Sequence, residues 1–362
     1  MRILHVVPEL KLAGAQIMVE NLSNELAKLK CEVNIASLYS EKTPITQRLS
    51  DNKIKVHFLG KKNGLDLSMI LKLRQLIKTF RPDIIHTHSY VLKYVMAAKL
   101  GMRKLPVVHT IHNLADKETT RSNLKLEKLF FKYFNVCPVA ISPIIRESVS
   151  EFYALQAKRI PMIFNGVNLD GYIPKKNYTI DNTNIKIIHI GRFEEQKNHK
   201  KIIEAARILK TRCPYVKFDL YGEGPLKEEI KNIIKQEKLE DTVRIAGLTS
   251  SPNIELTKSD IFILPSNWEG MPITLIEAMA TGLPIIVTPV GGIPDMVSNG
   301  ESALIIENAP GDLANAICTL VKNKQLREYL GKNALNYSKY FSSEMMAKEY
   351  LNLYENVMKK VD

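Results

Sequence analysis

An α/β protein built from two doubly wound parallel sheets is what this sequence predicts, and three observations carry the expectation. The chain has 362 residues, too long for one ordinary α/β unit and suited to two cores of roughly 150 to 200 residues each. Short apolar runs alternate along it with longer amphipathic segments, the pattern left by strands that crossover helices bury on both faces. The same alternation then begins again after the polar stretch 175–184.

Taken in order, the first strand is expected at 3–7, helical spacing follows over 20–30, and a second strand falls at 33–38. Further strands at 55–59, 84–86, 107–111 and 138–141 complete the first domain. The second series places strands at 187–190, 217–221, 243–246, 261–265, 284–288 and 303–306. Between the two lies Ile163-Phe164-Asn165-Gly166-Val167-Asn168, whose Asn-Gly pair suits a tight turn at a domain junction. Residues 1–168 are therefore assigned to an N-terminal domain and 169–342 to a second one. After Phe341, the residues Met346, Tyr350, Leu353, Tyr354 and Val357 recur every three or four positions, so 343–358 reads as an amphipathic helix within a closing element, 343–362.

Hydrophobic content of 45% with 25% charged residues is ordinary globular composition and excludes a disordered chain. A net charge of +13 favours anionic partners: nucleotide phosphates, acidic lipid headgroups or nucleic acid. No nucleic-acid-binding motif accompanies the charge, so nucleic acid is not an expected partner. No run of eighteen apolar residues occurs, and the apolar start stops at Pro8, short of a signal-peptide core. A cytoplasmic protein is the expectation. Cys31, Cys137, Cys213 and Cys318 show no ligand spacing and read as reduced packing residues.

Two doubly wound domains could hold a dinucleotide, yet the GxGxxG fingerprint is missing after the first strand, where Leu12-Ala13-Gly14-Ala15-Gln16 supplies a single glycine. Gly14 stands before a helix start whose backbone N–H groups can approach a diphosphate; a plain helix-entry turn is the alternative. The second domain opens with Gly191-Arg192 directly after a strand, with Lys197 five residues on. In open α/β sheets such positions line the ligand crevice. A guanidinium can fork onto phosphate oxygens and an ammonium adds a compact charge, so the two could neutralise a departing diphosphate. Gly222-Glu223-Gly224-Pro225 follows the next strand and serves a tight connection or a ligand contact equally well.

Trp268-Glu269-Gly270-Met271-Pro272 leads from a buried strand into a helix that carries Glu277 on an otherwise apolar face. Gly270 lets successive N–H groups face an anion or a sugar hydroxyl, and Glu269 can accept from hydroxyls. Burying Glu277 without a partner would cost several kcal/mol; ribose hydroxyls or a structural salt bridge would supply one. In the first domain, His86-Thr87-His88 and His109-Thr110-Ile111-His112 sit at or just past strands without a third ligand at compatible spacing, so no metal is expected. His112, beyond its strand, can reach a ligand crevice, while His86, His88 and His109 suit the crevice wall or the core. Asp-x-Asp, which many metal-dependent sugar transferases use, occurs nowhere, which again points to chemistry without a metal.

Together, Gly14, His112, Asn165-Gly166-Val167, Gly191-Arg192 with Lys197, Gly222-Glu223-Gly224, Glu269-Gly270 with Glu277, and Gly291-Gly292-Ile293-Pro294-Asp295 resemble the family 4 retaining glycosyltransferases over nearly the whole chain. Ala13 departs from that pattern, where a second Gly is frequent, and Asp295 replaces the commoner Glu. The resemblance implies a GT-B fold: two Rossmann-like domains face each other across a cleft, and a C-terminal helix crosses back onto the first. It implies transfer of a hexose or N-acetylhexosamine from a nucleotide-diphosphate sugar, UDP before GDP, to a glycan or lipid-linked acceptor, with no cofactor. Arg192 and Lys197 would bind the diphosphate with Gly14 nearby, and Glu277 the ribose. Glu269, Gly270 and Met271 would hold the sugar, His112 would lie near its outer hydroxyls, and Gly191, Gly222 and Pro272 complete the donor site. Retention by same-face attack would let the departing phosphate take the acceptor's proton, so no carboxylate nucleophile is required. Rival readings are a nucleotide-sugar 2-epimerase and a non-catalytic nucleotide-sugar-binding subunit.

Leu124, Leu126, Leu129, Phe130, Phe131 and Phe134 interleave with Arg121, Lys125, Lys128 and Lys132. A basic amphipathic helix of this kind either docks on an anionic membrane surface or packs on its own domain with a solvated basic face.

Overall fold

The computed structural model describes residues 1–119, 121–181, 183–307 and 309–360, with the side chains of Arg121, Ser122 and Pro310 outside the description. The chain forms two compact units, Met1–Val167 with Ser342–Asp362, and Asn168–Phe341.

In the first unit the strands are β1 (Arg2–Val7), β2 (Glu32–Ser37), β3 (Lys55–Phe58), β4 (Ile84–His88), β5 (Val107–Ile111) and β6 (Val136–Ala140), arranged β3-β2-β1-β4-β5-β6. In the second they are β7 (Ile185–Ile190), β8 (Val216–Tyr221), β9 (Val243–Gly247), β10 (Ile261–Leu264), β11 (Ile285–Val287) and β12 (Leu304–Ile305), arranged β12-β11-β10-β7-β8-β9. Every pairing is parallel. Each sheet thus reverses strand order once, between β1 and β4 and between β7 and β10, and ligands of such sheets bind outside the strand ends at that reversal.

All twelve expected strands form, and the differences at their ends have causes. β6 begins at Val136, ahead of Pro138, because it is an edge strand and the N–H that proline lacks costs no ladder bond on its outer side. β4 runs on through Thr87 and His88, both buried, since their polar atoms find partners inside the unit. The strand cores are Ile, Val and Leu at or near zero exposure, as strands covered on both faces require.

One junction feature differs from expectation. Gly166 has no left-handed φ and makes no tight turn; the segment is extended, and Val167 bridges to Ser342. A Cβ at Gly166 would sit 2.5 Å from the Ser342 carbonyl oxygen, so this glycine answers a close backbone approach instead.

The terminal helix, Ser343–Lys359, returns to the first unit and lies against helix Gly14–Lys28. Ser342 caps it by accepting from the Met345 N–H at 3.3 Å, and Met346, Tyr350, Tyr354 and Val357 are buried. The two tyrosines are fully enclosed, and each hydroxyl is satisfied on the sheet: Tyr350 Oη lies 2.7 Å from Thr110 Oγ1, and Tyr354 Oη 2.7 Å from His86 Nδ1. Buried aromatic area and satisfied hydroxyls together fix the helix on that face.

Helix Arg121–Tyr133 packs inward through Phe130, Phe131 and Glu127, which accepts from the Tyr153 hydroxyl at 2.7 Å. Leu126, Leu129, Tyr133 and Phe134 remain exposed beside Lys125 and Lys132. Among the described residues no helix is long and apolar enough to cross a membrane. All four cysteines are free thiols, and Cys213 and Cys318, remote in sequence, meet inside the second unit with sulfurs 3.3 Å apart.

Candidate active site

In the second unit, the loops after β7, β8, β10 and β11 interlock at the carboxyl edge of the sheet. The Gly191 N–H donates to the Tyr221 carbonyl at 2.9 Å, and a Cβ on Gly222 would stand 2.0 Å from the Gly191 oxygen. Gly291, at φ +58°, leaves no space for a Cβ against the Glu269 carbonyl, while the Gly292 N–H donates to Gly270 oxygen at 2.9 Å. Backbone packed on backbone in this way holds the loops in one arrangement before any ligand arrives.

That frame brings Lys197 and Glu269, 72 residues apart, into a 2.5 Å ion pair. Glu269 is buried, and it also accepts from Ser266 Oγ at 2.7 Å and Gln196 Nε2 at 3.1 Å. Lys197 lies in a short 3-10 turn, Glu195–Lys197, which Asn267 pins by accepting from Asn198 Nδ2 and donating to the Glu195 carbonyl. Lys197 uses one of three ammonium donors on Glu269, leaving two for an anion. Arg192 points outward and pairs with Glu194 at 2.8 Å, its side chain 57% exposed.

Glu277 sits at 3% exposure in helix Ile273–Ala280, behind Met271 and Pro272. Its partner is the Tyr172 hydroxyl, 2.7 Å from Oε1 and 105 residues earlier, a contact that no local sequence pattern announces. Burial pushes the carboxyl up from 4.5 to about 7, and the tyrosine opposes this only in part. Gly270 continues the same loop, so Glu269, Gly270, Met271, Pro272 and Glu277 are presented by a single strand-to-helix connection.

The first unit places Gly14 as the exposed first residue of helix Gly14–Lys28, whose N-cap residue, Ala13, makes no side-chain cap bond. Its first-turn N–H groups form the end of a helix dipole that favours anions. His112 follows β5 on a loop that Glu118 clamps, accepting from the His112 N–H at 2.5 Å and the Asn113 N–H at 2.8 Å.

Behind His112 stands a group that sequence spacing did not reveal, because one member comes from β1. His112 Nε2 lies 3.1 Å from His88 Nδ1, and His88 Nε2 lies 3.2 Å from His5 Nδ1. His86 is beside them, its ring 4.2 Å from that of His88, with both nitrogens engaged at 2.7 Å by Tyr354 and Thr110. Nitrogens of His5, His86 and His88 come within 4.8 Å of one another, the spacing of a metal cluster. To ligate a metal, however, His86 would have to give up one of its two short hydrogen bonds. Burial holds His5 down to about 3, His109 to about 3 and His112 to about 4, and it holds His86 and His88 well below the usual histidine value, with neighbouring imidazoles adding to the effect. All five rings are neutral at physiological pH.

Known proteins share this chain's plan. The family described as "Glycosyl transferases group 1" matches residues 174–337, and "Glycosyltransferase Family 4" matches 12–170. The chain is 29% identical over 359 residues to the UDP-Gal:alpha-D-GlcNAc-diphosphoundecaprenol alpha-1,3-galactosyltransferase of Escherichia coli, covering 92% of this chain and 91% of the relative. It is 26% identical over 310 residues to the N-acetyl-alpha-D-glucosaminyl L-malate synthase of Bacillus anthracis, covering 81% and 80%. Among solved structures, Anabaena HepE in complex with UDP and glucose superposes with a TM-score of 0.85 at 18% identity, covering 98% of this chain and 99% of that one. With two Rossmann-like units of GT-B type and family matches on both, this chain belongs to the group 1, family 4 glycosyltransferases and is a hexosyltransferase-type enzyme of that retaining family.

Proposed function

We propose that the enzyme moves a hexose or N-acetylhexosamine from a UDP-sugar, with a GDP-sugar as the next choice, to a lipid-linked or glycan acceptor in surface polysaccharide or glycolipid synthesis. The observation that carries the donor half is the single connection after β10, which holds Glu269 on Lys197 and seats the buried, tyrosine-backed Glu277 one helix turn further on. The names of the E. coli and B. anthracis relatives, a galactosyltransferase that uses UDP-Gal and a glucosaminyl-malate synthase, support the substrate class.

In this reading Glu277 accepts from the ribose hydroxyls, and Lys197 and Arg192 neutralise the diphosphate. The N–H groups of Gly270 and Met271 hold the sugar, Gly14 lies near the diphosphate, His112 reaches the sugar's outer hydroxyls, and Gly191, Gly222 and Pro272 shape the walls. Glu269 acts mainly on Lys197, because both of its oxygens already accept protein donors. Its carboxylate keeps the ammonium aimed while two N–H donors stay free for phosphate oxygens. As the glycosidic bond breaks, charge grows on the departing phosphate, where fixed cations stabilise it most. That phosphate, on the same face as the acceptor, takes the acceptor's proton, and no metal is called for.

We further propose a cytoplasmic enzyme held peripherally at the membrane by helix Arg121–Tyr133, whose exposed Leu126, Leu129, Tyr133 and Phe134 lie beside Lys125 and Lys132. Co-sedimentation with vesicles should favour anionic over neutral lipids; equal binding to both removes this part. The central test incubates the protein with UDP-, GDP- and ADP-sugars and lipid-diphosphate-linked acceptors and follows transfer and hydrolysis. Failure to bind or turn over any donor would end the proposal, and release of a free epimeric nucleotide sugar would replace it with an epimerase.

A further inference from the structure

We propose that Cys213 and Cys318 form a dithiol modification site, which an organic disulfide such as oxidised glutathione converts to an intramolecular disulfide. The bond staples helix His199–Arg212 to helix Pro310–Lys322 and stabilises the second unit without disturbing the loops around Lys197 and Glu269.

Cys213 directly follows the first of these helices, and Cys318 lies near the end of the second. Their sulfurs are 3.3 Å apart, although 105 residues separate them in sequence. Closing that gap to the roughly 2.05 Å of a disulfide asks each sulfur to move by less than about 1 Å. The two helices keep this register without help from the sulfurs. Arg212 Nη1 donates to Asn315 Oδ1 at 2.9 Å, one helical turn before Cys318, and Lys201 Nζ donates at 2.8 Å to the Glu307 carbonyl, at the opposite end of helix His199–Arg212. The Cys213 backbone is fixed as well: its N–H donates to the Leu209 carbonyl at 2.8 Å, and its own carbonyl accepts from the Val216 N–H at 3.1 Å. A sulfur held this close to its partner meets a mixed disulfide as soon as one forms.

Both residues are buried, at 9% and 6% exposure. Their chain neighbours Arg212, Pro214 and Thr319 are exposed, as is Asn315, so the pair lies just beneath the surface. Burial and the neighbouring sulfur push the Cys318 thiol up, and Arg212 and Lys322 oppose this in part. Thiolate is therefore scarce, and the pair stays reduced wherever thiols are in excess.

The chemistry balances as two exchanges. The thiolate of one cysteine attacks a sulfur of the reagent, breaks its S–S bond and releases one thiol. The other cysteine then attacks the mixed disulfide at the protein sulfur and releases the second. Two hydrogens and two electrons pass from the protein to the reagent, which leaves as two thiols.

Such a bond closes a long loop and so restricts the unfolded chain more than the folded one. Helix His199–Arg212 has 14 residues, about 20 Å of length, and Lys197 lies just before its other end. The staple is thus a full helix away from the Lys197 turn.

The full-length protein, treated with oxidised glutathione and mapped by peptide mass spectrometry, should carry Cys213 joined to Cys318 and be lighter there by two hydrogen atoms. Cys31 and Cys137, more exposed and in the first unit, serve as the internal comparison and should remain outside that link. The melting temperature of the second unit should rise by about 5 to 10 °C and return on reduction with dithiothreitol. Hydrogen exchange in the loops holding Lys197 and Glu269 should be unchanged. Cys318→Ala and Cys213→Ser should each abolish both the link and the rise. Cysteines that stay unjoined or stop at mixed disulfides, a link without a rise in melting temperature, altered exchange at those loops, or a rise that persists in whichever variant folds would overturn the proposal.

Discussion

Glu277→Gln replaces a carboxyl that burial pushes up to about 7 with a neutral amide of the same size that can still meet Tyr172. Ribose hydroxyls donate best to the ionised carboxylate, so donor binding should expel the proton that Glu277 holds near neutrality. With a value of about 7 in the free protein, roughly one molecule in ten is ionised at pH 6 and nine in ten at pH 8. Affinity for UDP-glucose, whose diphosphate does not titrate in that range, should rise about tenfold between those pH values. Calorimetry in buffers of different ionisation enthalpy should report close to one proton released at pH 6. Glu118, pushed up to about 8 by burial, titrates nearby, and the Gln variant isolates the two because it should bind more weakly and with a flat profile.

Stability gives an independent reading of the same group. The native chain keeps a proton on Glu277 between 4.5 and about 7 that the unfolded chain has already lost, so this carboxyl erodes stability as pH rises through that window. The erosion reaches roughly 3 kcal/mol above pH 7 and vanishes below 4.5. Glu277→Gln should therefore raise the melting temperature at pH 8 and leave it unchanged at pH 4.5. A pH-independent affinity in the wild type, together with identical melting of both proteins at pH 8, would refute the argument.

Three further outcomes follow from contacts in the two units. Tyr354→Phe leaves His86 Nδ1 buried without its 2.7 Å partner and should cost about 1 to 2 kcal/mol, read as a lower melting temperature of the first unit with donor affinity intact. Lys197→Met strands the buried Glu269 carboxylate and should cost about 3 kcal/mol or more, most of it recovered in the Lys197→Met, Glu269→Gln double variant, while transfer stays at least about a hundredfold down in both. Gly291→Ala forces a Cβ to within 1.7 Å of the Glu269 carbonyl oxygen at φ +58° and should prevent the second unit from folding natively, seen as lost nucleotide binding and early proteolysis.

The sheets were legible because their signal is local. Each strand is a short apolar run between breakers, and every one appears where that pattern puts it, including the terminal helix with its buried Met346, Tyr350, Tyr354 and Val357. Gly166 was misread because Asn-Gly is a turn signal only when the backbone needs a left-handed residue, and here the constraint is the Ser342 backbone, remote in sequence. The same limit governs the site. Glu277 could be marked as a carboxylate in need of a partner, yet Tyr172 could not be named, and His5, which meets His88, lies 83 residues before it. Composition and spacing point to residues whose chemistry is out of place; which distant side chain answers them is decided by strand order.

That division explains how the two units differ in their electrostatics. In the second, a buried carboxylate is matched to a lysine across two loops, so the positive charge proposed for a phosphate is fixed in direction and keeps two of its three donors. In the first, the corresponding reversal of strand order holds a cluster of neutral rings, whose field depends on where hydrogens sit and not on net charge. A diphosphate needs the former, because it arrives and leaves as an anion. A sugar hydroxyl is a neutral partner, which a neutral imidazole can meet with either its hydrogen or its lone pair. Burial deep enough to keep five histidines uncharged is thus part of how the first unit would handle a neutral substrate group, just as the pairing of Lys197 with Glu269 is part of how the second would handle a charged one.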